Sequence, residues 1–332
     1  MKKVLFATTA LVASAGFASA DVTLSGSAEM GIRGGDNLET QFIQDIDVTF
    51  TLSGTTDNGL TFGASIDIDE SADQALDTPG TATRPNNAFD NDYGHGGVAV
   101  FISGDFGTVT LGDTDGALDW ALTEAGNISN PGSLADDETS HEGYLGSYGD
   151  GAGDGQIVRY DNTFGDFGVA ISYEQDASST LVTNGTTGQV QSDSRDGSYA
   201  LGFRYSTDWS GVDINLGLGY QSTDFTTTDQ EIWGISANAT FASGFSVGFQ
   251  YSDWTDRGGV LGNDDDHIGI GAGYEFGPYA IHANYGEFGS GDSGYGLSAS
   301  YDLGGGAGIR LGYGSSDNAN EDFWSLGIAM SF

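Results

Sequence analysis

Apolar and polar residues alternate one for one along almost the whole chain, and this periodicity restricts the fold more than any motif does. Val22, Leu24, Ala28, Met30 and Ile32 are interleaved with Thr23, Ser25, Ser27, Glu29 and Arg33; Ile46, Val48, Phe50 and Leu52 with Asp45, Asp47, Thr49 and Thr51. A period of two is that of a strand with one apolar and one polar face. Sixteen segments carry it, from 22–33, 42–54 and 59–69 through to 293–303, 307–315 and 322–332. It is least regular over 96–104, 107–113 and 155–161, where Ala99, Phe101 and Ile157 interrupt it.

The links between segments alternate in length. Short turns are expected at 55–58, 105–106, 162–165, 208–210, 243, 277 and 304–306, and long links at 70–95, 114–154 and 176–196. Short connections at one end and long ones at the other describe an up-and-down antiparallel barrel. Sixteen strands enclose more volume than these side chains fill, so the Thr, Ser, Asp, Gly and Asn phase lines a wet lumen and the Val, Leu, Ile, Phe phase meets lipid. Trp209, Phe241, Phe245, Tyr279, Tyr285, Tyr301, Tyr313, Trp324 and Phe332 fall near strand ends, where a membrane barrel carries aromatic girdles.

The first twenty residues follow a different rule. Lys2-Lys3, an apolar run from Val4 and Ala18-Ser19-Ala20 form a secretory signal peptide over 1–20, leaving a barrel domain of 21–332. The only lysines leave with it, so seven arginines remain against 48 Asp and Glu. Such an acidic chain has no footprint for nucleic acid. With no cysteine it has no thiolate metal site, disulfide scaffold or Cys nucleophile.

Certain residues carry a resemblance: the start Asp21-Val22-Thr23-Leu24-Ser25-Gly26, the runs Gly107-Thr108-Val109-Thr110-Leu111-Gly112-Asp113 and Val158-Arg159-Tyr160-Asp161-Asn162-Thr163-Phe164-Gly165, and the final strand ending in Phe332. In these the chain resembles the general diffusion porins, most of all those of alphaproteobacteria of the Rhodobacter type. The resemblance implies an all-β, sixteen-stranded transmembrane barrel with short periplasmic turns and long extracellular loops. It implies a third loop folded inward to narrow the pore, a homotrimer in lipid and lipopolysaccharide of the outer membrane, and delivery by the barrel-assembly machinery through Phe332. The expected function is passive diffusion of small hydrophilic solutes and ions, with no catalytic residue.

The expected third loop, the link over 114–154, carries Asp115, Asp119 and Glu124 directly after Asp113, with Ala117 to Ala125 able to form a helical turn. Folded inward, this acidic lobe would oppose a basic wall and set a transverse field across the constriction. Arg33, Arg159, Arg204 and Arg310 lie on the polar phase and are the candidates for that wall; Arg84, Arg195 and Arg257 fall in links. Arg159 matches a wall-arginine position of general porins; the plainer reading is a solvated arginine paired with Asp45 or Asp47. Asp45, Asp47, Asp67, Asp69, Glu174, Asp213, Glu275 and Asp302 line the lumen and exceed the arginines, so cation preference is expected.

Asp136-Asp137-Glu138 and Asp264-Asp265-Asp266 offer the hard oxygen ligands that calcium takes; a solvated acidic loop is the plainer reading, and no other cofactor is implied. His267 and His282 fall on the lumen phase as polar lining. Two other functions stay open. A barrel hydrolase would use His95 near Asp92, or His141 near Ser140 and Glu142, although no nucleophile is organised with a base. A substrate-specific channel for phosphate would want inward lysines, and one for sugar an aromatic lumen track.

Overall fold

A computed structural model describes residues 21–36, 38–69, 94–144, 148, 156–175, 182–183, 190–191, 195–225, 227–317 and 321–332. The expected leader 1–20 lies outside the described residues, as do Arg84 and Asp92; of Asp69, His95 and Arg195 only the backbone is described. Among the described residues, sixteen strands form one closed antiparallel barrel in which sequence neighbours pair throughout. The first, Asp21–Gly35, seals against the last, Glu321–Ser331, with Ala28 opposite Met330 and Met30 opposite Ile328. Closure leaves no strand edge unpaired, which a bilayer core demands.

Each barrel strand lies on one of the sixteen periodic segments. The sixth, Gln156–Phe164, runs further than its pattern suggested, so its turn falls at 165–166, where Gly165 takes φ of +63°. A two-stranded hairpin, Val182–Thr183 with Val190–Gln191, stands outside the barrel in the 176–196 link and is too short to leave a period. Turns of two to five residues join the strands at one end; the long links all emerge at the other.

The faces separate as the alternation requires. Along Gln230–Phe241, Gln230, Ile232, Gly234, Ser236 and Asn238 are buried on the inner side, while Glu231, Trp233 and Ile235 are exposed on the outer one. Leu201, Leu216, Ile235, Ile270, Ile281, Leu297 and Ile309 form an exposed mid-height band. At roughly 25 cal/mol per Å², water could not be the solvent for so continuous an apolar girdle. Phenylalanines (Phe164, Phe167, Phe241, Phe245, Phe276) ring the short-turn end, and tyrosines (Tyr199, Tyr220, Tyr285, Tyr295, Tyr313) the long-loop end. The tyrosine hydroxyls find partners at that wet boundary, Tyr220 on Glu231 Oε1 (3.0 Å) and Tyr285 on Glu287 Oε2 (2.9 Å). No helix among the described residues is long and apolar enough to cross a membrane; crossing belongs to the strands.

Candidate functional site

The link between the fifth and sixth strands, Gly107–Gly112 and Gln156–Phe164, dominates the lumen. It opens into a five-residue helix, Ala117–Ala121, and then a 3₁₀ turn, Ala125–Asn127. A helix this short has no independent stability, and Gly116 at its N-cap supplies no side-chain bond. The barrel wall supplies the missing acceptors. Ala117 N–H donates to Ser172 Oγ (2.8 Å), Thr123 N–H to Ser236 Oγ (3.0 Å) and Ala125 N–H to Gln250 Oε1 (2.5 Å). Leu118 and Leu122 bury against Ile232, Trp254, Ala170 and Ala200, apolar residues on the inner phase. Each leucine contributes about 1.5–3 kcal/mol of burial. Ile232 and Trp254 are breaks in the binary pattern, and those breaks are the sequence signal of a loop seat.

Beyond the 3₁₀ turn the loop continues round the inner wall. Ile128 O accepts from His282 Nδ1 (2.8 Å), Leu134 packs with Ile43 and Ala329, Glu142 N–H donates to Ser316 Oγ (3.0 Å), and Gly143 O accepts from His267 Nε2 (2.8 Å). Wherever its backbone touches the wall it tends to rest on an inward glycine. A Cβ on Gly202 would lie 2.0 Å from Ala117 O, and one on Gly271 1.9 Å from Ala125 O. Part of the 55-glycine content is thus space for this second layer. His267 and His282 are accordingly buried beneath the loop; the expectation that they line the water path is corrected, because the loop backbone takes their ring N–H.

His141, fully buried, bonds Asn284 Oδ1 through Nε2 (2.7 Å), while Asn284 Nδ2 donates to Glu138 O (2.8 Å). That amide orientation makes Nε2 the donor, and burial holds the ring below its ordinary pKa. Its side-chain partner is an amide, not a serine, so no nucleophile–base pair forms here.

The charged residues divide into two groups. On the sixth strand Arg159 bonds Asp161 Oδ1 through Nε (3.2 Å) and the loop through Nη1, to Thr114 Oγ1 (3.3 Å) and Asp115 O (2.8 Å); the Asp115 carboxylate is 3.8 Å away. Arg204 stacks on Trp120 of the loop helix, 3.7 Å from the ring centroid. Across the barrel, Arg310 bonds Glu29 Oε1 (2.8 Å), and Asp137 is the charged neighbour of Arg33. Asp45, Asp47, Glu29, Asp136 and Arg310 line one recess of about 300 Å³ between loop and wall. Asp67 accepts from Thr49 Oγ1 (3.2 Å) on the second strand.

Of the four acidic loop residues, Asp115 reaches Arg159, Glu124 accepts from Asn127 Nδ2 (2.7 Å), and Asp113 is anchored by its backbone to Val98 O (3.0 Å); Asp119 lies half-buried on the helix. Arg159 pairs with Asp161 and Asp115 rather than with Asp45 or Asp47, because those stand on the far wall. Glu29 and Asp161 are site carboxylates that the sequence pattern did not single out, although they share the phase and strand of Arg33 and Arg159 respectively. Arg257, at the long-loop end, bonds Asp265 and faces Trp254 and Phe288. Among the described residues no three His, Asp or Glu side chains converge as a metal site. Glu138 holds Asn130 Nδ2 (2.9 Å), and Asp264 and Asp265 accept from Asp256 N–H (3.1 Å) and Ser290 Oγ (3.0 Å).

A family model of Gram-negative porins matches residues 7–321. The chain belongs to the Gram-negative porin family. This porin is 29% identical to the porin of Rhodobacter capsulatus across 94% of its own length and all of that protein's. It is also 29% identical to outer membrane protein U of Vibrio cholerae, over 55% of this chain and 48% of that one. A porin structure refined at 1.8 Å superposes with a TM-score of 0.65 at 25% identity, covering 94% of this chain and 100% of that one. An engineered variant of Rhodopseudomonas blastica porin gives 0.66 at 20%, with the same coverage. The porin is therefore an outer-membrane channel, and its lumen is a passage rather than a catalytic cleft.

Proposed function

We propose that this porin is a general diffusion channel with weak cation preference, constricted where the third loop meets the lumen. The observation that carries the preference is charge pairing. Arg159 and Arg310 are each engaged by a carboxylate, while Asp45, Asp47, Asp67 and the exposed Asp136 add negative charge to the same water path. The lumen field is then negative, which favours cations. Arg159 and Arg204, held by Asp161 and Trp120, form the basic wall, and the acidic loop residues set the field against it.

Long loops face outward into lipopolysaccharide, short turns face the periplasm, and the segment 1–20 is the export signal. The oligomer is a homotrimer. Its support is a gap in the interfacial girdle: tyrosine and tryptophan decorate the outer face of the long-loop end from the seventh strand to the last. The first five strands present Val22, Leu24, Met30, Ile66, Val100 and Leu111 with neither among the described residues. That apolar sector suits a neighbouring barrel better than a lipid boundary. Calcium in the loops is not required by this reading; unchanged conductance in a chelator is the expected result.

Single-channel recording in a planar bilayer under a KCl gradient tests the proposal. Conductance steps in groups of three with a reversal potential of cationic sign are expected. Anion preference, or block by a single sugar, would overturn it.

A further inference from the structure

We infer that an inward strip of the twelfth to fourteenth barrel strands, Asp265–Phe276, Tyr279–Phe288 and Ser293–Gly304, is a latch that sets the pore's cross-section. Two loop carbonyls are each held from two sides there. Gly143 O accepts from His267 Nε2 at 2.8 Å and rests over Gly286, whose added Cβ would stand 1.8 Å from it. Glu138 O accepts from Asn284 Nδ2 at 2.8 Å and rests over Gly296, again 1.8 Å from an added Cβ. Donor and glycine work together: the donors reach the carbonyls only because no side chain keeps the loop off the wall. Both donors are themselves fixed, His267 by its contact with Phe288 (4.6 Å between centroids) and Asn284 by His141 and His282.

The loop is thereby a fixed inner layer. Its thickness and its distance from the wall set how much of the lumen remains open. His267, Asn284, Gly286 and Gly296 are positioning residues, since none needs to touch a solute. Restoring ordinary contact at Gly286 or Gly296 requires the carbonyl to move from 1.8 Å to about 3.4 Å, toward the lumen axis. Losing a donor instead leaves the loop seated but unfastened.

The experiment compares Gly286→Ala, Gly296→Ala, His267→Ala and His267→Gln, in the full chain, by single-channel recording and hydrogen exchange. Gly308→Ala is the control, an inward glycine whose added Cβ meets only Tyr301 O at 3.4 Å. The glycine variants are expected to conduct less, about 1.5-fold, and Gly308→Ala as the parent. His267→Ala is expected to raise open-channel noise and admit larger neutral solutes; His267→Gln, which keeps an N–H near the Nε2 position, is expected to restore the parent trace. Parent-like conductance and exchange in both glycine variants overturns the latch, as does equal behaviour of the two His267 variants. Failure of the barrel to form in both glycine variants overturns it too, since the glycines would then serve the barrel itself. The inference rests on the reading that the loop bounds the conducting path: loop exchange altered with conductance unchanged would sink that reading and overturn the control of cross-section, leaving the strip only as the loop's fastening.

Discussion

Moving one arginine by one residue separates the two faces of the barrel. On the ninth barrel strand, Val212–Phe225, Leu216 is 45% exposed on the outer band and its neighbour Asn215 points into the lumen, paired with Ser206 and Asn238. From Val212 to Tyr220 the strand rises eight residues; at about 3.3 Å each and a tilt of roughly 40°, this covers about 20 Å of bilayer, with Leu216 midway. Leu216→Arg therefore places a guanidinium near the membrane centre, at about 2–4 kcal/mol. That corresponds to a roughly 30- to 900-fold loss in the folding equilibrium. Asn215→Arg enters water beside Asp208 and Asp213, which share its lumen face, and costs little. Urea titration of each variant refolded into lipid vesicles, read by heat-modifiable gel mobility, measures the difference. Equal destabilisation of the two variants, or a greater loss for Asn215→Arg, would refute the assignment of faces.

Further outcomes are expected. Arg159→Ser should raise cation preference in a salt gradient, because Asp161 and Asp115 lose their counter-charge; a shift toward anions contradicts the proposed wall. Burial pushes the Asp137 carboxyl above its ordinary pKa, with Glu138 adding to the effect and Ser325 and Arg33 opposing it. Its docked form then binds a proton more readily than its released form. The loop should therefore hold more tightly as pH falls through the raised value, toward the ordinary carboxylate value of about 3.9. Noise analysis across that window should show a quieter channel, and Asp137→Asn should abolish the dependence. Phe332 is exposed and tied by its backbone to Gly26 (2.9 Å). Its deletion should lower outer-membrane yield in cells while refolding in vitro stays close to the parent; parallel losses in both would argue against a recognition role.

The fold was legible because a membrane barrel writes itself into sequence locally. Each strand must alternate, since lipid lies on one side and water on the other, so Val212, Ile214, Leu216 and Leu218 mark a strand without reference to any partner. Turn lengths then give the up-and-down order, and sixteen segments make the lumen too wide to fill. The loop's helix at Ala117 was legible too, and so was the inward phase of the four arginines. What the loop rests on was not. Ser172, Ser236, Gln250, Asn284 and Ser325 read as ordinary lumen polar residues. Their identity as caps for a distant backbone depends on contacts separated by 55 to 191 positions in the chain. The same holds for the choice of Asp161 and Asp115 as partners of Arg159. Phase tells that a side chain faces inward, but only closure of the barrel and the path of the loop bring particular charges within a few ångströms. Sequence alone determined the sheet, its topology and its solvent on either face, because those follow from period and length. The tertiary structure decided how much of the lumen stays open, because that depends on a loop lying against glycines that become neighbours only when the barrel closes.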